Sequence, residues 1–517
     1  MGLLLSIGAG SVPVRADTEL QNVLAARMSA MKALHVREPR TLEVTGSIAG
    51  AGLQGAFHSW SGPQGQRYDQ WIGTRFESSI RVGGRQFAID ENGNVRELQG
   101  LMQQRQRTED FINEDGFVTH PEDDRYLGHV TLPDGRSAYA LQVTPPGGLA
   151  ETIALDTHSL LIDRISYDDG DGVSTSDYYD YKVFSGALLA QREIDSNGDH
   201  DYDLERISER IGVNRPMERG VFAIPVNAEV QTAQPVTVPL EEHDRHYYTH
   251  VRIRGHAYTF LVDTGAQAVV IDSHLASVLG LQPQGHLEVV GASRVGGMGV
   301  APLTDSIFIG AAKLPVHVVT ILDLHNVTGS FQADGVLGYP FFASAEVRLD
   351  AAKHAMTFGK PGSLRPSGEG FPIDVDRQQI ELHGKVDGIP GRFVLDTGNS
   401  GELLLFSPFM KLHPELLPVG QRQFANSYGV GGSAQALFAM VDELDFGSYR
   451  FFNRYANLML SQQGAFADRF DAGNIGMGVM QNLVVTFDVA NAKMYAAQST
   501  AYDDGRFRTR TEPVTPP

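Results

Sequence analysis

The same tripeptide closes two apolar runs in this chain, FLVDTGAQAVVI at 260–271 and FVLDTGNSGELLLF at 393–406. Its aspartates, Asp263 and Asp396, stand 133 residues apart. An aspartate set among Phe, Leu and Val is costly to bury unless something compensates it. Two of them, in two copies of one local context, point to a site where two similar halves meet. Few folds bury a carboxyl twice in the same way.

The repetition extends beyond the tripeptide. Ile253-Arg254-Gly255 matches Val386-Asp387-Gly388, and Phe260 matches Phe393, at the same offset of 133 and without a gap. Further on, Val295-Gly296-Gly297 matches Val430-Gly431-Gly432, and Val336-Leu337-Gly338 matches Gly476-Met477-Gly478. Finally Val347-Arg348-Leu349-Asp350 matches Val485-Thr486-Phe487-Asp488. Each unit reads as an Asp loop, a glycine-rich hairpin, a strand ending in an apolar-apolar-Gly triplet, and a closing strand. That is the signature of a duplicated lobe.

These blocks, in one order and twice over, resemble the pepsin-like and retropepsin-like aspartic proteases, most of all the bacterial retropepsin-like proteins with short lobes. The resemblance covers about 235–498. It implies a mostly β, bilobal fold, with lobes at 235–362 and 370–500, and a polypeptide substrate. It implies Asp263 and Asp396 as the catalytic pair, one from each lobe. Thr264 and Thr397 would cross-link the two loops, and Gly265 and Gly398 would permit their close approach. Val295, Gly296, Gly297, Val430, Gly431 and Gly432 would belong to two flaps, as in a retropepsin dimer fused into one chain. The chain would then act as a monomer. Two departures stand out: pepsins carry Ser or Thr after each DTG, whereas this chain has Ala266, as retropepsins do, and Asn399. Gly476 also occupies a place where the family has an apolar residue.

The chemistry explains the motif. Two carboxylates held close cannot both ionise readily, so they share one proton and titrate as a pair. The ionised member takes a proton from water while the protonated member donates to the scissile carbonyl. No metal or organic cofactor is required. The plain alternatives are two ordinary Asp turns after strands and two surface hairpins. A phosphate loop is excluded, because no GxxxxGK[ST] pattern accompanies the glycines.

Bulk properties narrow the rest. A length of 517 residues leaves room for about three to four domains. The net charge of −20, with no compensating basic run, argues against a nucleic-acid or anionic-membrane partner. Without cysteine there is no disulfide, thiolate metal site or cysteine nucleophile. Residues 1–16, with Leu3-Leu4-Leu5 and then Val14-Arg15-Ala16, resemble the remnant of a signal peptide, which suggests export to the periplasm or medium. No run of 18 apolar residues predicts a transmembrane helix.

Residues 17–226 read as an α+β domain of antiparallel strands with one amphipathic helix at 20–34. Its turns are rich in Asp, Asn and Gly, and 221–225 closes it. It faintly resembles the half-barrel of periplasmic lipoprotein carriers, which bind acyl chains. A lipid carrier led by this domain, and a silent peptide-binding protein, are therefore the competing readings. Segments 234–239 and 359–372 read as linkers, and 501–517 as a polar tail. Asp195, Asn197, Asp199 and Asp201 have calcium-loop spacing, but His200 and Arg206 occupy the Gly and Glu positions, which favours a plain turn. His243, His246, His250 and His256 read as solvated strand histidines, and Trp60 and Trp71 as core or groove aromatics.

Overall fold

The computed structural model describes residues 14–291, 294–325, 331–418 and 423–509. The protein is mostly β, built from several sheets, and divides into two compact units. The first takes in 1–46, 101–169 and 173–216; the second takes in 47–100, 170–172 and 217–517. This division differs from the sequence-derived boundary at 226, because 47–100 groups with the duplicated region. Most of the expected signal segment lies outside the described residues, and Val14, Arg15 and Ala16 begin a helix, Val14–Ala33.

In the first unit that helix buries Leu20, Val23 and Leu24 against Leu141, Val143, Ile153, Leu155 and Ile165 of the sheet. The spacing is that of one helical face. Arg27 continues the face and is buried as well. Its guanidinium donates to Asp115 at 2.5 Å and to the Leu160 carbonyl at 2.5 Å. The sheet is antiparallel, in the order Leu204–Val213, Arg192–Ser196, Val173–Tyr179, Ile162–Asp168, Glu151–Asp156, Ser137–Val143 and Arg125–Thr131. A second long helix, Gly100–Asn113, was not expected from sequence; its polar run from Gln103 to Glu109 hides the period, and it buries only Thr108 and Ile112 fully. The expected closing segment 221–225 is turn and coil. Trp71 is 43% exposed rather than core, and Trp60 stacks on His58 at 3.5 Å.

Glu151 opens a strand of this sheet with 2% exposure, and neither carboxyl oxygen has a hydrogen-bond partner. Burial first, and the neighbouring Glu109 second, push its carboxyl up to about 8 from an ordinary 4.5. The folded unit therefore holds a proton there that the unfolded chain releases. Stability present in acid is lost as pH rises from about 4.5 through 8. Thermal unfolding should accordingly show a lower Tm at pH 9 than at pH 6, and Glu151→Gln should remove part of that difference. An unchanged pH dependence in the variant would refute the assignment.

In the second unit, 47–100 forms a meander of Leu53–Gly62, Gly65–Ile72, Arg75–Val82, Arg85–Ile89 and Val95–Glu97. Beyond it, two sheets repeat one strand order. The first runs His246–Ile253, His256–Val262, Gly335–Leu337, Val270–Asp272, Val318–Leu322, Arg294–Pro302 and Gln284–Val290. The second runs Gln379–Val386, Ile389–Leu395, Gly473–Ile475, Leu403–Leu405, Tyr449–Met459, Gly432–Phe446 and Gln423–Gly429. A six-stranded antiparallel sheet takes three strands from each repeat, in the order Val236–Pro239, Ala355–Gly359, Glu346–Asp350, Leu483–Asp488, Lys493–Gln498 and Glu369–Pro372. At its centre Val347 pairs with Phe487, Arg348 with Thr486 and Leu349 with Val485.

The segments expected as linkers thus supply the two edge strands, which tolerate Pro239 and Pro372 because an edge has spare N–H positions. The expected polar tail likewise begins with a strand, Phe507–Thr509, paired with 449–451; residues 510–517 lie outside the described residues.

Candidate active site

Each DTG loop follows a strand whose last residues are buried, Phe260-Leu261-Val262 and Phe393-Val394-Leu395. Each strand also pairs in parallel with a short partner. The Asp263 N–H donates to the Leu337 carbonyl at 3.1 Å, and the Asp396 N–H to the Ile475 carbonyl at 3.0 Å. These bonds identify Ile475, not Met477, as the counterpart of Leu337. The sequence-derived match of Val336-Leu337-Gly338 to Gly476-Met477-Gly478 is therefore two residues out of register. The true counterpart is Asn474-Ile475-Gly476, with its apolar residue in place and the polar Asn474 opposite Val336.

The threonines bind the loops reciprocally. The Thr264 N–H donates to Thr397 Oγ1 at 2.9 Å, and the Thr397 N–H donates to Thr264 Oγ1 at 3.0 Å. Each hydroxyl then donates across to the other repeat: Thr264 to the Leu395 carbonyl at 2.6 Å and Thr397 to the Val262 carbonyl at 2.8 Å. Both threonines are buried. A β-carbon on Gly265 would sit 2.7 Å from Asp396 Oδ1, and one on Gly398 would sit 2.5 Å from the Asp263 carboxyl carbon. Only glycine permits that approach.

Asp263 and Asp396 are half-buried and hydrogen-bond to each other. Burial and the closeness of the two carboxyls to each other hold the pair above the usual carboxylate range. Held together, the two carboxyls keep a proton to higher pH than isolated aspartates would. Asp263 Oδ1 accepts the Gly265 N–H at 2.8 Å. Asp396 has more donors: the Gly398 N–H at 2.9 Å and the Asn399 N–H at 3.0 Å on Oδ1, and Asn474 Nδ2 at 2.8 Å on Oδ2.

Residues 249–341 match the family model of aspartyl proteases. That segment takes in Asp263 and the 335–337 strand, and ends before Asp396. It is similar to aspartyl protease domains on sequence pattern, independently of the geometry above. A search of curated proteins returns no match. Among solved structures, the chain is similar to an outer-membrane lipoprotein-sorting protein domain from Vibrio parahaemolyticus at 12% identity and a TM-score of 0.28, covering 39% of this chain and 95% of that one. It is also similar to a DUF1329 family protein from Desulfovibrio piger at 12% identity and a TM-score of 0.27, covering 40% and 96%.

The glycine-rich segments fall differently from the sequence-derived match. In the first hairpin Val289 pairs with Val295 and Val290 with Arg294, so Val295, Gly296 and Gly297 lie in the returning strand. In the second, Gly429 pairs with Gly432, so Val430 and Gly431 form the turn itself. Val300 and Phe438 hold equivalent places, beside Thr320 and Asn457 of the neighbouring strands, which pair in turn with Val270 and Leu404. Counting from them makes Gly291 the counterpart of Gly429, and Ser433 rather than Val430 the counterpart of Val295. The two turns touch: a β-carbon on Gly291 would lie 2.4 Å from the Val430 carbonyl oxygen.

Two neighbours of the aspartates escaped the sequence reading. One is Asn474. The other is His246, expected to be solvated but half-buried; Tyr248 pairs with Leu261, a register that continued sets His246 opposite Asp263. Burial holds its imidazole below the ordinary value, opposed by the Asp263 charge. His243 is exposed as expected, with one face of its ring stacked on Phe331 at 3.9 Å. His250 also stands at the surface, 3.0 Å from Glu241. In the calcium-like loop the Asp199 carboxyl caps the Asp201 N–H at 3.1 Å. Among the described residues no group of three or more His, Asp or Glu is arranged to hold a metal, and no helix is long and apolar enough to cross a membrane.

Proposed function

We propose that the chain is an exported aspartic endopeptidase of retropepsin-like, two-lobed type, with Asp263 and Asp396 as its catalytic dyad. The observation that carries this reading is the reciprocal threonine cross-link, which brings the two DTG carboxyls into hydrogen-bonding contact. One carboxyl draws a proton from water, the water oxygen attacks the scissile carbonyl carbon, and the other carboxyl protonates the carbonyl oxygen. The touching hairpin turns support two flaps over an extended peptide. Tyr428 and Phe424, 69% and 64% exposed on the second hairpin, offer apolar surface there. Thr264, Gly265, Thr397 and Gly398 position the dyad.

Cleavage of a casein-type substrate, blocked by a statine inhibitor, tests the reading. Absence of any statine-sensitive cleavage would refute it and favour a silent peptide-binding protein. Because both half-sites lie in one chain, the enzyme is a monomer in this reading. Specific activity should stay constant on dilution well below micromolar concentration, and a steep loss recovered at higher concentration would show half-sites paired between chains.

A further inference from the structure

We propose that Asn474 fixes Asp396 as the ionised member of the pair, leaving the shared proton on Asp263. Given the proposed peptidase activity, on which the catalytic consequence rests, Asp396 is then the base and Asp263 the acid.

The argument is one of hydrogen-bond polarity. A chain of bonds begins at a backbone group that can only donate: the Gly401 N–H donates to Asn399 Oδ1 at 2.8 Å. That fixes the Asn399 amide, whose Nδ2 donates to Asn474 Oδ1 at 2.7 Å. The Asn474 amide is fixed in turn, and its Nδ2 donates to Asp396 Oδ2 at 2.8 Å. Neither amide can turn over without setting donor against donor or acceptor against acceptor. Asp396 Oδ1 is already met by two backbone N–H groups. Every one of these donors favours the charged carboxylate.

Asp263 lacks this support. The position equivalent to Asn474 is Val336, and the one after its DTG is Ala266. Its carboxyl accepts the Gly265 N–H at 2.8 Å and is also bonded by the Gly398 backbone, so it meets two backbone donors and no side-chain amide. The titratable group facing it, besides Asp396, is His246, which Asp244 also faces. Burial keeps that imidazole neutral over more of the acidic range than a solvated histidine, so it offers Asp263 little positive charge. The proton shared by the pair therefore rests on the member with fewer donors. During cleavage a water O–H bond breaks, its proton passes to Asp396, and its oxygen bonds to the carbonyl carbon. The proton of Asp263 moves to the carbonyl oxygen, so charge and atoms balance.

Asn474 is a positioning residue in this scheme, and a merely structural asparagine would not move a titration. Protein carrying carbon-13 at the aspartate carboxyls, titrated by NMR, should show Asp396 ionising at lower pH than Asp263. Asn474→Val, which installs the residue of the other repeat, should raise the Asp396 midpoint by about one pH unit. The acidic limb of kcat/KM should move up by the same amount while the alkaline limb stays in place. Asn399→Ala, which frees the Asn474 amide without removing it, should give a smaller shift in the same direction and keeps the test open if Asn474→Val fails to fold. Asp263 ionising first in the wild type, or an unmoved Asp396 midpoint in a folded variant, overturns the proposal. The expected carboxyl titrations in a protein that cleaves nothing would support the proton assignment and refute the peptidase reading instead.

Discussion

Asp263→Asn and Asp396→Asn should each lower kcat/KM by at least about 10³-fold, with the fold intact. Either carboxamide keeps the size of the side chain and its backbone donors, but cannot accept the water proton or share one with its partner. The change removes a charge from a half-buried pair, so thermal stability should hold or rise in Asp263→Asn, while in Asp396→Asn the new amide N–H meets the Asn474 donor and offsets that gain. The two substitutions together should cost little more than either alone, because the groups act as one unit. The measurement is cleavage of one peptide by the wild type and the three variants, with circular dichroism to confirm folding. A single variant that keeps wild-type activity ends the dyad assignment.

Thr264→Val should destabilise the protein by about 2–6 kcal/mol, since one substitution strands two buried partners at about 1–3 kcal/mol each. Those partners are the Thr397 N–H, bonded at 3.0 Å, and the Leu395 carbonyl, bonded at 2.6 Å. The methyl that replaces the hydroxyl fills the space and satisfies neither. Thr264→Ser keeps the oxygen and should recover most of the loss. Thr397→Val should behave alike, because its bonds mirror those of Thr264. Denaturant unfolding measures the effect; a loss below about 1 kcal/mol would show that water replaces the bonds.

Legibility in the sequence followed spacing. The DTG loops and the hairpins leading into them keep one ungapped offset, so Asp263, Asp396 and their threonines could be paired by eye. Past the second loop the repeats differ in length, and composition misled. Gly476-Met477-Gly478 imitates the expected triplet, while the closing strands at 347–350 and 485–488 carry an offset of 138 that, applied upstream, gives Asn474-Ile475-Gly476. The glycines of 295–297 drew attention to a strand, although the turn of that hairpin lies just before it. His246 and Asn474 had no motif to announce them. One gains its place from antiparallel register and the other from parallel register, and both depend on partners remote in sequence.

The central pairing of the six-stranded sheet has a consequence for how the two repeats depend on each other. Val347 meets Phe487 and Leu349 meets Val485, which is how two copies of one strand meet across a two-fold axis. On that axis the counterparts Arg348 and Thr486 stand face to face, with Arg348 Nε donating to Thr486 Oγ1 at 3.4 Å. Were the first repeat to meet a copy of itself, arginine would oppose arginine at the seam, and like charges directly opposite destabilise a strand pair. Self-pairing of the first repeat through this strand is therefore disfavoured, whereas pairing with the second repeat sets arginine against threonine.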